Sequence, residues 1–259
     1  MKTQKNKSLA ILFQTHIIND SILKRFHELY KSMRNKADVF LLFQSEPNEN
    51  DKNIPKKYPC YDYNYKSLNT LGYNPIKKTI IPGSAHFPLL QFYKDYPQYQ
   101  YYWNIEYDVI FTGKWNSFFK YYQNIQADFI TSHVTRYYED EDWYWWDTLK
   151  LIDIYIKKEN FIMSFNPIYR ISNRGLNLLN HTLADGNTGH HEVIIPTLFY
   201  HYNYKILDMK GEGEFREKNF AGSPLKIKSF ISTDSMRFRP CIEEEEITQK
   251  NQLYHPVKF

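Results

Sequence analysis

Two carboxylates separated by one residue are the first candidates for chemistry in this chain. Glu106 and Asp108 follow the strongly aromatic stretch Tyr101-Tyr102-Trp103-Asn104-Ile105, which is typical of a strand. In extended backbone, residues two apart point to the same side, so both carboxylates can converge on one point. Two hard oxygen ligands suit Mg²⁺ or Mn²⁺, with room left for water and phosphate oxygens. The pair therefore predicts a divalent-cation site at a strand end; the alternative is a solvated strand end without a ligand.

A third acid, Glu192, lies in Gly189-His190-His191-Glu192-Val193-Ile194-Ile195-Pro196, at the start of a predicted helix. The helix dipole favours a carboxylate there and holds its pKa down, so a proton-accepting role requires an apolar pocket or close substrate contact. The alternative is an ordinary acid in the first turn. A zinc-protease motif is disfavoured, because HExxH requires histidine where Ile195 stands.

Hydrophobic patterning predicts the elements that position these acids. Apolar runs at 9–13 and 39–43 predict buried strands, and between them Ile22, Phe26, Leu29 and Met33 share one helical face. Further strands are predicted at 99–104, 109–111, 128–131, 161–169 and 206–209, and helices at 87–96, 115–122, 149–156, 173–182 and 191–202. Residues 44–82 and the tail after 243 show no regular pattern. This alternation predicts a single α/β domain whose mixed, mostly parallel sheet is flanked by helices.

Composition excludes several classes of protein. Apolar residues make up 42% and charged residues 24%, as in soluble globular proteins. The chain has no GxxxxGK[ST], and the segment nearest to GxGxxG, residues 211–216, ends in arginine, so a P-loop or Rossmann nucleotide site is disfavoured. The net charge is only +4 and the basic residues are scattered along the sequence, so no basic surface for nucleic-acid binding is predicted. Two cysteines are too few for a disulfide scaffold. We expect a reduced, cytoplasmic protein without a transmembrane segment, which leaves peripheral membrane contact open.

The triplet Glu106-Tyr107-Asp108 at a strand end resembles the DxD motif of GT-A fold, nucleotide-sugar-dependent glycosyltransferases, with Glu106 replacing the first aspartate. The resemblance implies one GT-A-like domain over 1–259, with a nucleotide-binding half to about residue 110 and an acceptor-binding half and tail from about 111. It implies a metal-dependent, inverting transferase that moves a sugar from a UDP- or GDP-linked donor to a carbohydrate hydroxyl. Synthesis of cell-surface polysaccharide or another glycan is the implied setting.

The same resemblance implies roles for individual residues. His255, near the C-terminus, would join Glu106 and Asp108 as a ligand of Mn²⁺ or Mg²⁺, and Lys258 would meet a phosphate. Glu192 would accept the proton of the acceptor hydroxyl. The residues expected to meet the nucleotide stand at the ends of the first two strands: Thr15, His16 and Gln44.

An acceptor groove is expected around the acidic, indole-rich stretch 139–147. Aromatic rings with apolar faces and polar edges suit stacking against sugars. Three Trp in four positions cannot all face one way, so at least one is expected near a surface or cleft; the alternative is that they anchor the core. The residues assigned to the acceptor are Trp143, Trp145, Trp146, Arg170 and His191.

Two other functions are compatible with these residues. A glycoside hydrolase also uses paired carboxylates, but acids two apart on a strand point together rather than across a glycosidic bond. A non-catalytic carbohydrate-binding protein would account for the 18% aromatic content without a reaction.

Overall fold

A seven-stranded mixed sheet forms the centre of the computed structural model, which describes residues 7–45, 54–81, 83–209, 213–216 and 235–258. The described strands are β1 (Leu9–Thr15), β2 (Asp38–Gln44), β3 (Cys60–Tyr63), β4 (Tyr101–Glu106), β5 (Ile110–Phe111), β6 (Phe129–Arg136), β7 (Ile162–Ser172), β8 (Ile206–Asp208) and β9 (Leu253–Tyr254). The central order is β3-β2-β1-β4-β7-β6-β8, and β5 pairs with β9 in a separate ribbon. Among the described strands of the central sheet, only β7 runs antiparallel to its neighbours.

Helices cover both faces of this sheet. They are α1 (Asp20–Met33), α2 (Tyr65–Asn69), α3 (Phe87–Asp95), α4 (Trp115–Tyr122), α5 (Asn173–Ala184) and α6 (His191–His201). One core cluster packs α1 and α4 against the sheet around Trp103, and the other packs α3, α5 and α6 against the opposite face. The predicted α/β class, with a mostly parallel sheet flanked by helices, is confirmed. None of the described helices has the length and hydropathy of a membrane span.

The first strand, helix and strand form as the patterning predicts. Asn19 caps α1 by accepting a hydrogen bond from the Ile22 amide. The buried face of α1 then packs against β1 and β2, which are parallel neighbours. In a parallel unit, both strands end at the same edge of the sheet. The carboxyl end of β4 reaches that edge as well, because β4 pairs in parallel with β1 on its other side.

The predicted helix over 149–156 is wrong. The backbone there is irregular, with a bend at 152–153: the Lys150 amide donates to the Thr188 carbonyl at 2.8 Å, and the Thr188 amide donates to the Lys150 carbonyl at 3.0 Å. The Ile152 amide donates to the Asn187 side chain at 2.6 Å. These partners replace helical hydrogen bonds, while Leu149 and Leu151 pack against the core from alternate positions of the chain.

Two regions without a predicted pattern also contain regular structure. Within 44–82, of which 46–53 and 82 lie outside the described residues, the chain forms β3 and α2. In the tail, β9 pairs with β5 in the register Ile110 opposite Tyr254 and Phe111 opposite Leu253. This ribbon fastens the tail beside the end of β4. Positions 211 and 212 of the glycine-containing segment lie outside the described residues.

Candidate active site

Glu106, Asp108 and His255 meet at the carboxyl end of β4. Glu106 is the last residue of that strand, and His255 directly follows β9. The His255 Nε2 lies 3.6 Å from Glu106 Oε2 and 3.5 Å from Asp108 Oδ1. One ligand atom from each residue lies within 4.8 Å of the other two. The structure therefore brings together the three residues predicted as metal ligands, and the β5–β9 ribbon is what carries His255 there.

Backbone contacts fix the orientation of the His255 ring. Its Nδ1 lies 3.0 Å from the Arg237 carbonyl, to which it donates, and this leaves Nε2 directed at the carboxylates. The His255 amide donates to the Ser235 carbonyl at 2.7 Å, and the Val257 amide donates to the Asp108 carbonyl at 2.9 Å. A histidine that donates one ring N–H to a carbonyl while presenting the other nitrogen is the usual arrangement of a metal ligand.

Electrostatics make this cluster attractive to a cation. Burial raises the pKa of Asp108 to about 6, with Glu106 adding to the shift and His255 opposing it. Burial alone would lower the pKa of His255, but the two carboxylates raise it above its ordinary value. Within the described residues, Asp108 Oδ1 is buried and makes no hydrogen bond. Two carboxylates and one imidazole, with an oxygen lacking a hydrogen-bond donor, fit a divalent ion of the Mn²⁺ or Mg²⁺ class.

Glu192 occupies the first turn of α6 beside this cluster. Its Oε1 accepts a hydrogen bond from the Asn166 amide at 3.2 Å, and its Oε2 lies 3.6 Å from His190 Nδ1. Burial raises the pKa of Glu192 to about 8, and the charge of Glu106 contributes to the same shift. The environment thus overrides the effect of the helix dipole, which acts in the opposite direction. Burial beside polar groups, among them the Asn166 amide and His190, therefore produces the raised pKa that a base at this position requires.

Two histidines and two indoles lie on the Glu192 side of the site. The Trp145 ring stacks on His190 with ring centres 4.3 Å apart, and Trp143 meets His190 edge-on at 6.2 Å. Both indoles are partly buried. Burial lowers the pKa of His191 to about 4, so this ring is neutral at ordinary pH. Trp143 and Trp145 therefore pack on His190, whose Nδ1 lies near the Glu192 carboxylate, whereas the His191 ring is itself buried. Contact of these residues with an acceptor stays a prediction.

Trp146 and Arg170 correct the predicted acceptor groove, because both are buried in the core. Trp146 is 1% exposed and donates its indole N–H to the Asp140 carbonyl at 2.7 Å. Arg170 is 2% exposed. Its guanidinium donates to the carbonyls of Tyr122, Ile125 and Ala127 at 2.9, 2.6 and 3.0 Å. These donors are directed into the segment that follows α4, where no sugar can reach them.

Of the residues predicted to meet the nucleotide, His16 has contacts that place it near the acidic cluster. It is exposed at the end of β1, and its ring meets the Tyr107 ring edge-on with centres 5.1 Å apart. Burial lowers the pKa of His16, and the charge of Glu106 opposes that shift. His16 therefore lies near Tyr107 and Glu106, and its expected contact with a nucleotide stays a prediction.

The other residues predicted to meet the nucleotide or its phosphates are Thr15, Gln44 and Lys258. Thr15 is 2% exposed, and its hydroxyl both donates to the Ile17 carbonyl at 2.8 Å and accepts from the Ile17 amide at 3.0 Å. The hydroxyl therefore shapes the turn after β1 instead of facing a ligand. Gln44 ends β2 and is partly buried, and Lys258 is exposed three positions after His255.

The sequence patterns did not point to two further residues near the site. His86, which precedes α3, is fully buried and stacks on His191 with ring centres 6.3 Å apart. Arg25, on α1, donates to the carbonyl of Tyr107, between the two acids. The first stands in an apolar stretch and the second in a helix of ordinary amphipathic pattern. Neither context distinguishes such a residue from its neighbours.

Comparisons with known proteins give distant similarities. Residues 59–126 match a family described as a protein of unknown function, DUF3405, and this stretch contains Glu106 and Asp108. No curated protein matches the sequence. A solved glycosyltransferase involved in glycosylation of the PBCV-1 major capsid aligns at 9% identity and a TM-score of 0.33, over 67% of this chain and 63% of that one.

Two other solved structures are similarly distant. Mouse xyloside xylosyltransferase 1 aligns at 12% identity and a TM-score of 0.40, over 76% of this chain and 81% of that one. HddC from Yersinia pseudotuberculosis, in complex with GMP-PN, aligns at 10% identity and a TM-score of 0.33, over 65% and 77%. At these values the similarities carry no argument about the reaction of this chain. The first two are glycosyltransferases by their descriptions, the class of protein that the triplet Glu106-Tyr107-Asp108 resembles.

Proposed function

We propose that this chain is a glycosyltransferase that moves a sugar from a nucleotide-sugar donor to a hydroxyl of a carbohydrate acceptor. One observation carries the proposal: Glu106, Asp108 and His255 converge at a strand end beside Glu192, a buried carboxylate whose pKa is raised to about 8. Residues up to about 110 would form the nucleotide-binding half, and the rest would form the acceptor-binding half with the tail.

Donor binding would rest on the acidic cluster and its neighbours. Glu106, Asp108 and His255 would hold Mn²⁺ or Mg²⁺. Such an ion, when bound, neutralises charge that develops on the leaving diphosphate. His16 would meet the nucleotide beside Tyr107, and Lys258 would add a positive charge near the phosphates. A UDP- or GDP-linked sugar is the proposed donor.

Glu192 would accept the proton of the acceptor hydroxyl while the acceptor oxygen attacks the anomeric carbon. The bond from that carbon to the diphosphate oxygen breaks as the new glycosidic bond forms, with inversion. The raised pKa suits the role, because a carboxylate that ionises near neutral pH accepts protons more readily than an ordinary one. The Asn166 amide orients one carboxylate oxygen. Trp143, Trp145 and His191 would hold the acceptor next to it.

The geometry favours this reaction over hydrolysis by paired carboxylates. The ligand atoms of Glu106 and Asp108 lie within 4.8 Å of one another and of a histidine nitrogen. Carboxyl groups that act on opposite sides of a glycosidic bond stand about 5–9.5 Å apart. Two carboxylates this close to each other and to a histidine nitrogen are better suited to binding one shared cation.

Thermal stability with candidate ligands tests the function. We expect UDP or GDP to raise the melting temperature only when Mn²⁺ is present, and a nucleotide-sugar with an oligosaccharide to yield a longer glycan, detected by mass spectrometry. Stabilisation by oligosaccharide alone, without any nucleotide effect, would indicate a binding protein. Release of reducing sugars without a nucleotide would indicate a hydrolase.

A further inference from the structure

One side chain of α1 connects the two segments that carry the acidic cluster. The Arg25 Nη1 lies 3.1 Å from the Tyr107 carbonyl and 3.2 Å from the Val257 carbonyl. Tyr107 stands between Glu106 and Asp108, and Val257 stands two positions after His255. A single nitrogen therefore donates to the loop after β4 and to the tail after β9.

The surroundings of Arg25 make this connection a rigid one. α1 is anchored by its Asn19 cap and by a buried face that includes Ile22 and Phe26. The planar guanidinium of arginine holds its donors in a fixed arrangement. Burial lowers the pKa of Arg25, and the negative charge of Asp108 acts in the opposite direction, so the two groups lie close enough to interact. The Val257 amide joins the same two segments through the Asp108 carbonyl.

We propose that Arg25 is a positioning residue for the cation site: it holds the 106–108 loop and the 255–257 segment at the separation at which Glu106, Asp108 and His255 meet. The inference rests on the proposed function for the presence of the cation. The bridging contacts themselves do not depend on it. Arg25 cannot be a ligand, because a guanidinium offers donors only.

Replacement of Arg25 should change the affinity for a divalent cation in opposite directions, depending on whether the residue acts through its charge or by positioning the ligands. Removal of a positive charge near Asp108 should strengthen binding of a divalent cation, because like charges repel. Loss of the bridge should weaken binding, because the ligands are no longer held together. The sign of the change therefore separates a residue that positions the ligands from one that only contributes charge.

The test measures Mn²⁺ affinity by titration calorimetry in the full chain and in Arg25→Gln, Arg25→Lys and Lys24→Gln. Lys24 is the exposed neighbour of Arg25 on α1, so its replacement makes the same change of charge. We expect Arg25→Gln to weaken Mn²⁺ binding by about 10–100-fold, the range typical of residues that support metal ligands. Lys24→Gln should stay within about twofold, and Arg25→Lys should recover part of the loss. Unchanged or tighter binding by Arg25→Gln would overturn the proposal.

Hydrogen exchange without metal provides a second measurement. We expect the Val257 amide, which donates to Asp108, to exchange faster in Arg25→Gln, while amides within α1 stay protected. If the unaltered chain binds no Mn²⁺, the proposed metal site is wrong, and faster exchange at Val257 still supports the bridge. Unchanged exchange at Val257 in both Arg25 variants would overturn the bridge, whatever the metal result. Arg25→Lys keeps the charge and serves if Arg25→Gln does not fold.

Discussion

The His255 Nε2 lies 3.5 Å from the Asp108 Oδ1, although one residue follows β4 and the other stands near the end of the chain. The β5–β9 ribbon of two residue pairs brings His255 there, and Arg25 and the Val257 amide join the same two segments. A site built in this way stays intact only while the tail remains docked. The tail is therefore part of the candidate active site.

Replacing Glu192 by glutamine should remove the proposed base while keeping the size of the side chain. Turnover is expected to fall by about 10²–10⁴-fold, the usual contribution of a positioned base. Nucleotide binding with Mn²⁺ should be retained, because Glu192 is not among the three proposed ligands. Glu159→Gln, at an exposed acid, is the matched control and should keep full activity. Unaltered turnover in Glu192→Gln would exclude the base role.

The raised pKa of Glu192 also predicts how stability depends on pH. Its folded-state pKa of about 8 lies above the ordinary value of 4.5. The folded state therefore binds this proton more tightly, and the stabilisation is fully present below pH 4.5 and lost as the pH rises through 8. Without metal, urea denaturation should show the unaltered chain losing on the order of 3–5 kcal/mol more than Glu192→Gln between these limits. Parallel pH profiles would contradict the burial of this carboxylate.

Replacement of Trp146 should mainly affect stability, whereas replacement of its neighbour Trp145 should mainly affect acceptor binding. Trp146→Ala is expected to lower the free energy of unfolding by about 3–5 kcal/mol, because that side chain is buried. Trp145→Ala should cost less stability and should raise the KM for the acceptor roughly 3- to 10-fold. Tyr144→Ala, at the exposed ring that directly precedes them, is the control. An acceptor KM that responds only to Trp146→Ala would reverse the assignment.

Arg170 is expected to affect stability and not acceptor binding. Arg170→Gln would leave at least one of its three buried carbonyl partners without a donor, so we expect a loss of about 3 kcal/mol or more in urea denaturation. The acceptor KM of the folded protein should not change. A raised KM with unaltered stability would restore the acceptor role that the sequence predicted for Arg170.

The sequence predicted those features that depend on local pattern. The runs at 9–13 and 39–43 became β1 and β2. Glu106 and Asp108 do converge, but through a turn after β4 and not through extended backbone, because the Val109 amide donates to the Glu106 carbonyl at 3.1 Å. Glu192 lies in the first turn of the helix expected from 191. In each case, neighbours in the chain are sufficient to determine the outcome.

Features that depend on distant partners were not predictable in this way. The segment 149–156 was expected to be a helix, but Thr188 and Asn187 take its backbone hydrogen bonds. An arginine in a strand is usually exposed, yet three carbonyls of a distant segment allow Arg170 to be buried. His255 was expected as a ligand from family resemblance alone. The ribbon that places His255 could not be predicted, because strands of two residues are too short to show a hydrophobic pattern.

The most direct test of the account is Mn²⁺ binding, measured by titration calorimetry, in the unaltered chain and in Asp108→Asn, Glu106→Gln and His255→Gln. Each variant removes one proposed ligand at similar volume, and Glu159→Gln controls for the loss of an acid. We predict one Mn²⁺ per chain and an affinity at least about tenfold weaker in each ligand variant. The stabilisation by UDP or GDP should disappear in the variants that lose Mn²⁺ binding. Equal Mn²⁺ affinity in all four variants and the unaltered chain would contradict the proposed metal site.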